Sequence, residues 1–350
     1  MHPRRPATMI EALAAIAPGK PLREGLDRIL QANMGALVVV GDGPDVLAIS
    51  TGGFLLDAAY TPQRLSELAK MDGAIVLEAG ATRIARANVH LLPDPSVPTS
   101  ETGTRHRTAE RVARHLDVPV ISVSEDMSII TVYRGEHRHR VEPIPQLLAR
   151  AAQALATLER YKHRLDQVSG ALTHLEAADQ VTLRDVATVL QRSEMVRRVA
   201  EEIEARIVEL GTEGRLVMLQ LDELTMGVDD DLRLVARDYA AGSPGAALKS
   251  LAGLSDDDLV DLTSVASILR LGSAVELDTA IQARGYRLLS RLPRLPEVVV
   301  DKVIDQFGTL AKLLAATVED LDSVAGVGAV RAKAISEGLS RQAESTALQQ

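Results

Sequence analysis

Cysteine is absent from the 350 residues. Disulfides, thiolate zinc centres and cysteine nucleophiles are therefore excluded, a reducing compartment fits, and any metal has to sit on oxygen or imidazole. Tryptophan is absent too, and there are only two phenylalanines. Aromatic platforms of the kind that single-strand binders use are not expected. No apolar run is long enough to cross a bilayer, and the opening MHPRRPATMIEALAAIAPG is too broken by proline and charge for a signal peptide. The expectation is a cytoplasmic protein without a membrane segment. Walker A, GxSxG and HExxH sequences are missing, and Gly326-Val327-Gly328 follows a helical pattern rather than a strand, which disqualifies it as a dinucleotide fingerprint.

What is present suits packed domains. Hydrophobic residues make up 46% of the chain, and the length predicts two or three domains. The net charge of −9 argues against a surface coated in basic groups. The charge is uneven, however. Ile281 to Arg341 carries nine Lys and Arg against seven Asp and Glu, so this end of an acidic chain is net positive and suited to a polyanion.

Residues 1–142 alternate β-rich runs with helical patterns and read as an α/β domain. GALVVVGD, DVLAIS, GAIVLEA and VPVISVS are the expected strands. Leu22, Leu26, Ile29 and Leu30, then Leu65, Leu68 and Ala69, mark amphipathic helices, and SIITVYRGEHRHRVE reads as a hairpin turning at Arg134-Gly135-Glu136. From Pro143 strand signals vanish, and residues 143–284 read as a helical connector. The DDDL sequences at Asp229 to Leu232 and Asp256 to Leu259 read as helix starts, where acids complement the dipole, rather than as metal sites. Residues 285–350 contain two short helix-turn-helix units, the second with a tight turn at Val324 to Gly328.

Three polar clusters lie at the edges of these elements: Thr51-Gly52-Gly53, Asp72-Gly73-Ala74, and Gly103-Thr104-Arg105-His106-Arg107-Thr108. The third opens a helix marked by Ala109, Val112, Ala113 and Leu116, with Thr104 the expected cap. Its first turn is cationic where the macrodipole favours an anion, which typically costs a few tenths to about 1 kcal/mol. Together the clusters suit a phosphate-rich ligand with a divalent cation. Glycines permit close backbone approach, the helix start offers N–H donors, guanidiniums match phosphate oxygens, and an Asp with an imidazole can hold a metal. Taken singly they are also ordinary turns and a helix start pairing with Glu101 and Glu110 on a solvated surface. The second triplet, Arg138-His139-Arg140, reads as a solvated strand face, with His137 and His139 a weak metal pair.

Two of these motifs, in this order, carry a family resemblance. Asp72-Gly73-Ala74 and Gly103-Thr104-Arg105-His106-Arg107-Thr108-Ala109 match the DGA and GTRHR motifs of the DisA family of DNA-integrity-scanning diadenylate cyclases. Thr51-Gly52-Gly53 and the domain order agree, so the resemblance covers nearly the whole chain. It implies an α/β cyclase domain with a mixed sheet and flanking helices, an all-α spine and a C-terminal helix-hairpin-helix domain. It implies cyclic di-AMP made from two ATP with Mg²⁺ or Mn²⁺, a homo-octamer, and duplex or branched DNA as a partner that regulates synthesis.

Residue by residue, the resemblance puts Asp72 beside the attacking 3′-hydroxyl and Arg105 and Arg107 on the triphosphate. Asp72 and His106 would hold the metal, and Thr104 and Thr108 would donate to phosphate. Gly52, Gly53, Gly73, Ala74 and Gly103 would line the ATP site, Leu91 would touch adenine, and Ser124 with Glu125 would lie near the phosphates. In the last domain Gly326 and Gly328 would approach the DNA backbone, with Arg331 and Lys333 nearby. Ala325 stands where such turns commonly carry proline, which leaves this loop less rigid. Three other readings stay open: a non-catalytic nucleotide-binding DNA-repair adaptor, an enzyme using the pocket for another nucleotidyl transfer, and a packing role for the C-terminal helices.

Overall fold

The computed structural model describes residues 6–272 and 276–347. They divide into two compact units, residues 6–153 with 203–219, and residues 154–202 with 220–272 and 276–347.

The first unit begins with helices α1 (Ala7–Ala15) and α2 (Pro21–Gln31). Pro21 opens α2 at a position where its missing N–H costs nothing, and Leu22, Leu26 and Ile29 are buried. Strand β1 (Ala36–Val40) follows, then α3 (Pro44–Ala48), β2 (Ser50–Thr51), β3 (Phe54–Ala59), α4 (Pro62–Leu68), β4 (Ala74–Leu77) and β5 (Arg83–Leu91). Helix α5 (Thr104–Leu116) leads into β6 (Val120–Ser124) and the hairpin β7 (Ile129–Arg134) and β8 (His137–Arg140).

The strands form one mixed sheet in the order β2-β5-β4-β1-β6-β7-β8, with β3 also on β5. β1 is central, parallel to β4 and antiparallel to β6. Its ALVVV is apolar throughout because both faces are covered. Val38, Val40, Ile75, Leu77, Ile121 and Val123 pack with Met9, Leu26, Ile29 and Leu65. Leu37, Val39, Ala74, Val76 and Val120 pack with Ala109, Val112 and Ala113 of α5.

Two expectations need correction here. DVLAIS is not a strand: Pro44 to Ala48 is helical, and only Ser50 begins β2. Pro44 sits in the first turn after an extended Gly43, a helix-start signal that outweighs the strand-like apolar run. Thr104 is not the cap of α5. Gly103, extended at φ −76° and ψ 143°, takes that position, and Thr104 is the first helical residue.

Two long helices follow, α6 (Ile144–Ala177) and α7 (Leu183–Leu210), then α8 (Arg215–Thr225), α9 (Val228–Tyr239), α10 (Pro244–Ala252), α11 (Asp256–Val260) and α12 (Leu262–Ser267). Both DDDL acid runs occupy first turns, of α9 and α11, and the Ser255 hydroxyl accepts the Asp258 N–H. The chain ends with α13 (Tyr286–Ser290), α14 (Glu297–Phe307), α15 (Leu310–Leu314), α16 (Val318–Asp322) and α17 (Gly328–Ala347).

In the second unit, α13 is tied to the earlier helices by a buried polar cluster. Arg287 Nη1 donates to Glu176 at 2.6 Å, and the other Glu176 oxygen accepts from Tyr239 at 2.7 Å. Arg287 Nη2 donates to Ser169 Oγ at 2.9 Å. Asp238 accepts the N–H groups of Gly285, Tyr286 and Arg287 at 2.6, 2.7 and 2.9 Å, which caps α13. Burial, and then repulsion from Glu176, raise the Asp238 carboxyl to about 7 despite these donors. Residues 285–347 therefore belong to the same compact unit as residues 154–202 and 220–272.

Candidate functional site

The strand pairings bring the sequence motifs to one end of the sheet. Ala36 at the start of β1 pairs with Val123 near the end of β6, and Leu37 pairs with Ala74 at the start of β4. Ala74 pairs on its other side with Val89 near the end of β5. Asp72-Gly73, Leu91 and Ser124-Glu125 are therefore at that same end.

A bulge in β5 joins two of the glycine motifs. Asn88 lies in the left-handed region at φ 54°, and the β4–β5 register shifts there. Gly53, at φ 73°, packs so closely that a Cβ would lie 2.5 Å from the Ala87 carbonyl oxygen. Gly73, at φ 93°, approaches the next peptide, and its Cβ would lie 2.9 Å from the Asn88 carbonyl carbon. Neither position admits another residue without moving β5. Gly52 has open space around it and is set apart by its φ of 66° alone.

Helix α5 supplies the cations. Arg105, His106 and Arg107 fill its first turn, which contains no acidic residue. Among the described residues, no acceptor meets the N–H groups of Thr104, Arg105 and His106. Arg105 Nη2 lies 3.9 Å from Asp72 Oδ1, and the Asp72 carboxylate is fully exposed. Arg107 is exposed. The Thr108 hydroxyl donates to the Thr104 carbonyl at 3.0 Å and would have to turn away from it to serve a phosphate.

The two acids nearest in sequence to this helix start, Glu101 and Glu110, are engaged elsewhere. Glu101 accepts from Arg138 at 2.6 Å and from Tyr133 at 3.0 Å. Burial opposes its ionisation, but these bonds outweigh it and hold the carboxyl below its usual range. Glu110 accepts from Thr99 and from the Ser100 N–H, fastening the loop before α5 to the helix. Arg111 and Arg114 donate to the carbonyls of Val97 and Pro98 and hold the same loop. The expected pairing of the α5 start with Glu101 and Glu110 is therefore not the arrangement found.

The hairpin triplet also needs correction, because Arg138 anchors Glu101 and His139 Nε2 lies 2.7 Å from Glu209 Oε2. Its partners lie 37 and 70 residues away in the chain, where a local pattern gives no sign of them. Glu101, Tyr133 and Arg138 are the supporting residues that sequence reasoning missed.

The metal question turns on Asp72 and His106. No group of three or more His, Asp or Glu able to hold a metal occurs among the described residues. One carboxylate suits a cation that takes its remaining ligands from phosphate and water, the usual manner of Mg²⁺ at nucleotide sites, and a neutral imidazole can add a nitrogen ligand. Burial pushes the His106 pKa down and outweighs the opposing pull of Glu101. The imidazole therefore stays neutral, and able to ligate, to a lower pH than an ordinary histidine. A nuclear magnetic resonance titration should place His106 below pH 6.5; a value above that would contradict the burial argument.

In the second unit two turns repeat with a 32-residue offset. Val324-Ala325-Gly326-Val327-Gly328 joins α16 to α17, and Leu292-Pro293-Arg294-Leu295-Pro296 joins α13 to α14. Gly326 has φ 93°, and Arg294 at the equivalent place has φ 63°. The N–H of Val324 donates to Leu321 as that of Leu292 does to Leu289. Arg331 Nη1 donates to the Gly326 carbonyl at 2.8 Å, bracing the turn that lacks proline. Lys333 is exposed and lies 3.8 Å from Glu337. The Lys302 ammonium, unremarked in the sequence, lies alongside Gly326.

The mixed sheet with its motif-bearing end matches the family model for the DisA bacterial checkpoint controller nucleotide-binding region over residues 23–138. Residues 141–277 match that for the DisA linker region. DNA integrity scanning proteins DisA from Frankia casuarinae and Frankia alni are each 55% identical to this chain over 343 residues, 96% of either chain. The Streptomyces coelicolor relative of the same name is 51% identical over 97% of this chain and 93% of its own. The chain belongs to the DisA family. A solved structure of a Staphylococcus aureus DacA double mutant covers 39% of this chain at 22% identity and a TM-score of 0.29, too low to weigh in that assignment.

Proposed function

We propose that this chain is a diadenylate cyclase that condenses two ATP into cyclic di-AMP and two pyrophosphates. The observation that carries the reading is the α5 start: three open N–H groups and two arginines, with no acid in that turn and only the exposed Asp72 carboxylate beside Arg105. The N–H groups with Arg105 and Arg107 bind the triphosphate, where they meet charge that develops on the leaving pyrophosphate. Asp72 polarises or deprotonates the 3′-hydroxyl that attacks the α-phosphorus of the other ATP. Gly52, Gly53, Gly73, Ala74, Leu91, Gly103, Thr104, Thr108, Ser124 and Glu125 complete the ATP site. Asp72 and His106 would hold a Mg²⁺ or Mn²⁺, which would neutralise phosphate charge.

The product is two-fold symmetric, so two copies must face one another. Phe54 and Leu55, 56% and 71% exposed directly after Gly52-Gly53, suit contact with a second copy. The octamer comes from family likeness. The protein acts in the cytoplasm; among the described residues no helix is long and apolar enough to cross a membrane. The division at residues 142 and 284 belongs to this reading.

The paired turns bind duplex or branched DNA without sequence preference, through Gly326, Gly328, Arg331 and Lys333, and this binding regulates the cyclase. The relatives' name, DNA integrity scanning protein, supports that role.

Incubation with ATP and either metal, with products identified by chromatography and mass, tests the activity. Cyclic di-AMP with two pyrophosphates per molecule is expected. A folded protein that binds ATP and yields no product would favour the adaptor reading, and a different product another nucleotidyl transfer.

A further inference from the structure

Gly35 stands immediately before β1, buried at the motif-bearing end of the sheet. Its neighbours across the sheet are the Asp72 turn on one side and the end of β6 on the other. A glycine is unexpected there, since a strand start ordinarily gains from a side chain. Backbone conformation does not explain it, because Gly35 is not among the residues at positive φ.

The explanation lies in what a side chain would strike. A Cβ at position 35 would lie 1.9 Å from Arg105 Nη1, 2.8 Å from Cζ and 3.4 Å from Nη2, and these are its three nearest atoms. The guanidinium occupies the space that any other residue would fill. From that seat its Nη2 is 3.9 Å from Asp72 Oδ1.

We propose that Gly35 is a positioning residue: by having no side chain it gives the Arg105 guanidinium its seat against the start of β1 and sets its place relative to Asp72. The proposal rests on the cyclase reading, in which Arg105 holds the triphosphate while Asp72 faces the attacking hydroxyl. Phosphoryl transfer depends on the alignment of those two reactants, and a displacement of about 1 Å can cost on the order of 10²-fold in rate. Arg105 is also a planar fork, so a shift tilts both of its donors.

Gly35→Ala isolates this effect. The atoms that must yield are the end of a flexible side chain, so the fold survives and only the guanidinium moves. The melting temperature should stay at the parent value or rise slightly, because the unfolded chain loses freedom. Turnover should fall about 10- to 100-fold, with a smaller change in KM for ATP.

A double-mutant cycle with Arg105→Lys separates positioning from a general structural role. Lysine has no planar fork to seat on Gly35, so Gly35→Ala should cost less than about twofold in that background. Turnover and ATP affinity are measured for all four proteins, so the cycle can be read even where one variant is nearly inactive.

Full activity in Gly35→Ala would overturn the proposal. So would an equal loss in both backgrounds, or a loss accompanied by a lower melting temperature. If the parent makes no cyclic dinucleotide, the cyclase reading fails on its own account. The seat is then judged by ATP affinity, which Gly35→Ala should weaken only when Arg105 is present; unchanged affinity would sink it.

Discussion

Asp72→Asn is expected to lower cyclic di-AMP formation by about 10²- to 10⁴-fold, the range for losing a positioned general base, while ATP binding changes only a few-fold. The carboxylate is fully exposed, so the substitution should leave the melting temperature unchanged. The Asn keeps the size of the side chain and removes its capacity to take a proton. Steady-state turnover beside a calorimetric ATP titration checks both halves. A binding adaptor has no attacking hydroxyl for this carboxylate to serve and could use it only as a metal ligand. Undiminished product from Asp72→Asn would therefore remove Asp72 from the chemistry, and a loss of binding equal to the loss of turnover would make it a ligand contact only.

The largest effect on stability is expected from Arg287→Ala. Arg287 and Glu176 are 2% and 0% exposed at the side chain. Removing one partner leaves a buried carboxylate with its remaining donor, Tyr239, and such losses typically cost about 3–5 kcal/mol. Chemical denaturation followed in the second unit checks the figure; a loss below about 1 kcal/mol would mean that water enters to solvate Glu176.

The same cluster carries a pH signature through Asp238. Its carboxyl, at about 7 in the folded protein, lies above the ordinary 3.8. The folded state therefore holds a proton that the unfolded state has lost. This contribution is fully present below about pH 4 and is lost as the pH rises through about 7. Asp238→Asn should remove that decline, read as melting temperature against pH.

Much of this was legible in the sequence because the relevant signals are local. β1, β4 and β6 announce themselves as short β-branched runs, and the hairpin turns where Gly135 marks it. The two motifs at Asp72 and Gly103 to Ala109 were enough to point to the family. β3 was not legible because its FLLDAA is exposed almost throughout and shows no alternation. β5 was hidden by the Asn88 bulge, which breaks its two-residue period.

The convergence of Gly53 and Gly73 on one bulge, and the seating of Arg105 on Gly35, are long-range facts of strand order. So is the engagement of Glu101 by Tyr133 and Arg138, which takes up the acid nearest in sequence to the cations of α5. Side-chain identity supplied the chemistry, and topology decided which groups meet.

The most direct test of the central claim is a structure of the protein with 3′-deoxy-ATP and Mg²⁺ or Mn²⁺, a substrate that cannot attack. The triphosphate should lie on the N–H groups of Thr104 to His106 and on Arg105 and Arg107, with the sugar 3′-carbon facing Asp72. A nucleotide bound elsewhere, or bound here with its sugar turned away from Asp72, would contradict the account.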